Sequence, residues 1–140
     1  MKVFVVFAVY IVAAAFAGIV THTPCGGDGQ LLQVRISECS GDVAEMEPGN
    51  PYACEADVIP ANASDALHLR VTALFHGLPI SIIDAPIPNS AVQPDMQYVL
   101  RWTITPSDQL SGNTVPVSAE ISDELSGAVV VCGTVLARVA

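Results

Sequence analysis

The 140-residue sequence predicts an all-β fold, an antiparallel β-sandwich of about seven strands in a single domain. Three observations predict it. Apolar residues recur at every second position in run after run, the period of a strand that turns one face to a core. The runs are short and are separated by turns rich in Gly, Pro, Asn and Asp. No stretch of the domain carries a convincing helical period.

Residues 1–17 are read as a secretory signal peptide and residues 18–140 as the domain. Met1-Lys2 is a short basic start, Val3 to Ala14 is apolar apart from the Tyr10 hydroxyl, and Ala15-Phe16-Ala17 has the small-x-small form that a signal peptidase accepts. An uncleaved anchor is the competing reading, since Gly18-Ile19-Val20 extends the run toward the roughly 20 residues of a membrane span. No basic stop-transfer cluster follows, which favours cleavage. Removing Lys2, the only lysine, leaves four arginines against fourteen acidic residues, a formal charge of about −10. Such a surface repels phosphate backbones and acidic headgroups, so neither nucleic acid nor stable membrane insertion is expected.

The elements follow in order. Thr21 to Gly29 is a Gly/Pro-rich lead-in, and Leu32, Val34 and Ile36 alternate in the first strand. Ser37 to Asn50 is polar, ends in Pro48-Gly49-Asn50-Pro51, and is expected to be an exposed connection. The second strand turns Tyr52, Cys54, Ala56 and Val58 to one face and Glu55 and Asp57 to the other. Pro60 to Asp65 breaks it, and Asn62-Ala63-Ser64 within the break is an N-glycosylation sequon.

Leu67 to Phe75 is the third strand, with Leu69, Val71 and Phe75 inward. His76-Gly77 turns the chain into a short fourth strand carrying Leu78, Ile80 and Ile82. Asp84 to Asn89 contains two prolines, each of which removes a ladder donor, and is expected to be a loop or lip. The fifth strand sends Met96, Tyr98, Leu100, Trp102 and Ile104 to one face. Val115, Val117, Ala119 and Ile121 form the sixth, and Ala128 to Val139, with Val135 inward, the seventh.

The inward faces, above all between Leu67 and Trp102, are proposed to enclose a ligand. The candidate ligand-binding residues are drawn from those inward positions: Val34, Ile36, Tyr52, Val58, Leu69, Val71, Phe75, Leu78, Ile80, Ile82, Tyr98, Leu100, Trp102, Ile104, Ile121 and Val135. Alternation equally permits a core filled by its own side chains.

The search for catalytic chemistry is negative. The sequence has no Gly-x-Ser-x-Gly elbow, no His-Glu-x-x-His, no phosphate loop and no dinucleotide fingerprint. His68 and His76 share the outer face, and the carboxylate pairs Glu45/Glu47, Glu55/Asp57 and Asp123/Glu124 fall in turns or on wet faces. They are read as solubilising charge. An enzyme is not expected, nor is a cofactor. Cys25, Cys39, Cys54 and Cys132 form no Cys-x-x-Cys knuckle and the histidines are dispersed, so no metal site is expected. In an oxidising compartment four cysteines imply two disulfides, for which three pairings exist.

From Cys25 to Val139 the order Cys-Gly-Gly-x-Gly, Cys39, Pro-Gly-x-Pro-Tyr52, Gly77-Leu-Pro-Ile-x-Ile82, Gln97-Tyr-x-Leu-Arg-Trp102 and Val130-Val-Cys132 resembles the ML (MD-2-related lipid-recognition) domain. Its Niemann-Pick type C2-like members and the group 2 mite allergens look most similar. The resemblance implies an immunoglobulin-like β-sandwich whose sheets leave an apolar cavity. It implies a secreted or endosomal-lysosomal carrier of a sterol, fatty acid or similar lipid. The alternative is an immune-recognition or receptor-binding module of the same fold, with Ile83, Ile87 and Val92 as an exposed apolar lip.

By position, Cys25 and Cys132 match the family's disulfide between the first and last strands, and Ile82 matches a large side chain at the cavity mouth. Tyr52, Tyr98 and Trp102 are then expected to offer hydroxyl or indole groups to the ligand's polar end. The chain departs from the usual six cysteines. A Cys39–Cys54 bond is an inference outside the family pattern, and Asp84 to Gln93, lacking its clamp, is expected to be mobile.

Overall fold

The structure, a computed structural model, describes residues 17–140. The signal-peptide reading therefore lies, apart from Ala17, outside the described residues. The described residues form ten strands: β1 (Ala17–Val20), β2 (Thr23–Gly26), β3 (Gln30–Ser37), β4 (Val43–Met46), β5 (Tyr52–Ile59), β6 (Leu67–Phe75), β7 (Leu78–Ile87), β8 (Tyr98–Ile104), β9 (Asn113–Asp123) and β10 (Val129–Val139). One 3-10 turn, Asp108–Leu110, lies between β8 and β9. The first sheet has the order β1-β3-β5-β8 and the second β2-β10-β9-β6-β7, with β4 also on β10. All pairings are antiparallel except β4 with β10, which is parallel. The antiparallel, immunoglobulin-like sandwich that the patterning and the resemblance imply is the observed fold.

The seven expected strands are β3 and β5 to β10. Most of their inward residues interdigitate into one main core, in which Leu67, Val71, Ile121, Val131 and Val58 are all 2 % exposed or less. The three further strands are short and explain the corrections. Ser37 to Asn50 is not simply an exposed connection: it contains β4, whose Ala44 and Met46 are buried. Four residues give too few alternations to stand out against the acidic residues around them. The lead-in Thr21 to Gly29 likewise contains β2, whose four residues are all exposed.

Leu32 does not join Val34 and Ile36 inside. The pairing of β3 with β5 shifts between Leu31 and Gln33, so Leu32 turns outward, 44 % exposed, and Leu31 packs against the core instead. A bulge inverts the alternation on one side of it. Gly133 makes room for this, because a side chain there would run into Leu31.

The Pro-rich segment is also corrected. β7 continues to Ile87 and includes Pro86, paired along β6 from Phe75↔Leu78 to Leu67↔Ile87 with a shift at Val71/Thr72. As an edge strand it needs ladder donors on one side only, which is where proline is tolerated. The segment beyond it is pinned rather than loose. Ser64 and Val92 exchange both backbone hydrogen bonds (3.0 and 2.9 Å), Ser90 Oγ accepts from Leu67 N at 2.7 Å, and Val92 is 2 % exposed. Ile83 and Ile87 are half-buried against the core. The expected lip of Ile83, Ile87 and Val92 is thus absorbed into the fold.

Cys25 and Cys132 are disulfide-bonded, joining β2 to β10 across 107 residues. Cys39 and Cys54 are not: both are free, buried thiols. Cys54 lies on the inner face of β5 opposite Ile36, whereas Cys39 follows the end of β3 with its Sγ 3.5 Å from the Glu45 carbonyl. Burial pushes both thiols up, Cys54 to about 12, so each behaves as a small apolar side chain.

On the outer face of the first sheet, Arg35 on β3 holds Asp57 through two bonds (2.8 and 2.9 Å) and Glu55 at 3.0 Å, while Arg101 on β8 reaches Glu55 at 2.9 Å. These cross-strand pairs hold the Glu55 carboxyl below its ordinary value of 4.5 and that of Asp57 below 3.8. The stability they add is therefore present above the ordinary carboxylate range and lost as pH falls through the lowered values. Arg35→Gln is expected to cost about 0.5–1.5 kcal/mol at pH 7 for a partly solvated network. Chemical denaturation against pH checks it: the deficit should shrink toward zero as the solution is acidified.

Candidate functional site

The sheets enclose an apolar space. From the first sheet Leu31, Val34 and Ile36 on β3, Cys54 and Ala56 on β5, and Trp102 and Ile104 on β8 face it. From the second come Val71 on β6, Val117, Ala119 and Ile121 on β9, and Val131, Gly133, Val135 and Ala137 on β10, with Met46 of β4 at one end. No charged side chain lines it. Its free volume is about 40 Å³, room for a water or two; counting every gap out to open solvent gives about 580 Å³.

A second recess of about 20 Å³ shares Met46, Ile104, Val117 and Ala137 with the first and reaches Ile82, Pro106 and Leu110. Ile82 is 36 % exposed and so stands between this apolar seam and solvent.

Of the candidate residues, Val34, Ile36, Val71, Trp102, Ile104, Ile121 and Val135 are in the wall. Val58, Leu69 and Leu100 are buried in the surrounding core and do not line the space. Phe75 and Ile80 pack beside a separate small cluster of Ala73, Leu110, Val115 and Val139. Leu78 is 68 % exposed at the hairpin tip. Tyr52 and Tyr98 also lie outside the wall, and each hydroxyl accepts a backbone N–H, from Glu47 at 2.7 Å and from Gln93 at 2.8 Å. These bonds fix loop ends, so of the three residues expected to offer polar contacts only Trp102 lines the space.

The sequence reading missed Leu31, Met46, Cys54, Ala56, Val117, Ala119, Val131, Gly133 and Ala137. Most carried a usable signal. Val131, Gly133, Val135 and Ala137 share one parity on β10, as Val117, Ala119 and Ile121 do on β9. Small residues were passed over, although they are what leaves space between two sheets.

His68, on the outer face of β6, is held between two carboxylates: Nε2 lies 2.5 Å from Asp84 Oδ1 on β7 and Nδ1 lies 2.7 Å from Glu124 Oε1. Asp84, then Glu124, raise its pKa above 6.5, and the imidazole holds Asp84 below 3.8. With its folded value raised, the imidazolium stabilises fully below pH 6.5, and the contribution disappears as pH rises through the folded value. Ring resonances of His68 should titrate with a midpoint above 6.5, moving down toward it in Asp84→Asn. An unchanged midpoint in that variant would refute the clasp.

The chain is 27 % identical over 149 residues to the mite group 2 allergen Lep d 2 of Lepidoglyphus destructor, covering 99 % of each. Its fold matches a Niemann-Pick type C2 protein from Japanese carpenter ant with a TM-score of 0.69 at 12 % identity, over 86 % of this chain and 99 % of that one. The chain resembles the ML lipid-recognition family in sequence and in fold. Chicken MD-1 complexed with lipid IVa aligns with a TM-score of 0.58 at 12 % identity, over 82 % of this chain and 86 % of that one. No protein-family model matches. The ML-like disulfide, Cys25–Cys132, is where the resemblance put it. Among the described residues no helix is long and apolar enough to cross a membrane and no cluster is suited to a metal ion.

Proposed function

We propose that this chain is a secreted, non-enzymatic lipid carrier that holds a sterol, fatty acid or similar hydrophobic molecule between its sheets. The observation that carries the reading is the wall itself: two sheets contribute apolar side chains, several of them small, to one uncharged space, and an adjoining apolar recess that shares four of its residues is lined by Ile82 at the surface. The complex of the similarly folded MD-1 with lipid IVa supports it.

About 40 Å³ is too little for a lipid, so binding parts the sheets. β7 and β8 are each an edge strand and are not paired with each other, so parting the sheets on that side breaks no strand pairing. A ligand hiding a few hundred Å² of apolar surface gains several kcal/mol at about 25 cal/mol per Å², from which the cost of opening is subtracted. Among the lining side chains Trp102 carries the one N–H donor, which a ligand hydroxyl or carboxyl could engage. The receptor-docking alternative has lost the lip it needed.

Native mass spectrometry of the protein from its own source tests the reading. One apolar molecule of a few hundred daltons per chain, released by organic solvent, is the expected result. A chain that is uniformly empty there and after exposure to sterol and fatty acid would contradict it.

A further inference from the structure

A larger free space than the one between the sheets lies on the surface. A groove of about 300 Å³ is walled by Asp28 and Gly29 after β2, by Ala61 to Ser64 between β5 and β6, and by the β9–β10 turn from Asp123 to Val130. It is already built. Gly29 N donates to the Val130 carbonyl at 2.9 Å, Asp123 N to that of Ala128 at 2.8 Å, and Glu124 N to that of Ala66 at 2.9 Å. Three segments distant in sequence are thus fixed around it.

The sequon stands on its rim. Asn62 is exposed and lines the groove, whereas Ser64, two residues on, is 8 % exposed. The Ser64 hydroxyl donates to the Asp123 carboxylate, which holds that carboxyl below 3.8, and lies 2.8 Å from the Ala66 carbonyl. The two halves of the motif are therefore separated by folding: the acceptor amide stays in solvent while the hydroxyl is engaged inside. A transferase that needs both can act only before this loop folds.

We propose that Asn62 carries an N-linked glycan added before folding, and that its first N-acetylhexosamine seats in this groove. The chemistry of the walls fits a neutral sugar. Asp28, Asp123 and Ser126 offer acceptors to hydroxyls, and Ala63, Ala128 and Val130 offer apolar surface to ring C–H groups and the acetyl methyl. No cationic side chain lines the groove, so an anion finds no partner there. Covalent attachment at the rim supplies the sugar at high effective concentration, so a weak fit suffices. The proposal rests on the reading of the chain as secreted.

The test is expression of the full chain in a eukaryotic secretory host beside Asn62→Gln, which alters an exposed side chain only. Secreted wild-type protein should carry a glycan mass that Asn62→Gln lacks. An amidase that releases N-glycans should cut the folded protein far more slowly than the unfolded one. The amides of Gly29 and Asp123 should exchange about tenfold more slowly in the glycosylated protein than in Asn62→Gln. Ser64→Thr should retain the glycan. Secreted protein without the added mass, or a glycan released equally fast from both states with unchanged exchange, overturns the proposal alone. A chain retained in the cytosol overturns it together with the secretion reading.

Discussion

Replacing Cys25 and Cys132 by serine is expected to destabilise the domain by about 4–5 kcal/mol in the chain-entropy account of a 107-residue separation. That is a large share of the roughly 5–15 kcal/mol that holds a domain of this size. The bond keeps β2 on the edge of β10, and the four residues of β2 are all exposed, so little buried surface replaces it. Strand β2 is therefore expected to be the first lost. Urea unfolding of the double variant gives the magnitude; a loss below about 1 kcal/mol would show that β2 is held by its hydrogen bonds. The other two cysteines supply a companion result. Two thiols per chain should react with a thiol reagent after unfolding and neither before, because Cys39 and Cys54 are buried and free. No reactive thiol after unfolding would indicate a second bridge.

Filling the space between the sheets is expected to abolish ligand binding at a smaller cost in stability. Ala119 sits at the centre of β9, opposite Gly133 on β10 and Val71 on β6, and faces the space. Phenylalanine there exceeds the about 40 Å³ available and presses on the first sheet. Overpacking costs about 1–3 kcal/mol, which leaves the chain folded. Lipid affinity should fall more than tenfold, since the ring and the ligand compete for one place, an effect worth more than about 1.4 kcal/mol. Leu125→Ala, at a residue 87 % exposed in the β9–β10 turn, should change neither affinity nor stability. A folded Ala119→Phe protein that binds lipid as well as the wild type would place the ligand elsewhere.

Seven of the ten strands were legible because each spans enough residues for alternation to repeat. β1, β2 and β4, four residues each, were not. Leu32 shows a different limit: a bulge is invisible to a pattern that assumes an unbroken pleat, and one extra residue exchanged Leu31 for Leu32. Pro86 was judged by the rule for a central strand, whereas its place at an edge depends on sheet order. In the site, large residues were found and small ones overlooked, since hydrophobicity marks what fills a core and not what leaves it open. The partners of Arg35 and His68 lie 20, 22, 16 and 56 residues away, distances over which only the register decides contact. Tyr52 and Tyr98 were assigned to a ligand because each hydroxyl needs a partner, which a nearby backbone amide supplies.

Trp102 is the only tryptophan in the chain and lies in the wall of the space, so its emission reports directly on what enters between the sheets. Titrating delipidated protein with a fluorescent sterol or fatty acid should quench that emission by energy transfer, saturating at one ligand per chain, with the effect lost in Ala119→Phe. Quenching that never saturates, or that persists unchanged in the filled variant, would contradict a ligand held between the two sheets.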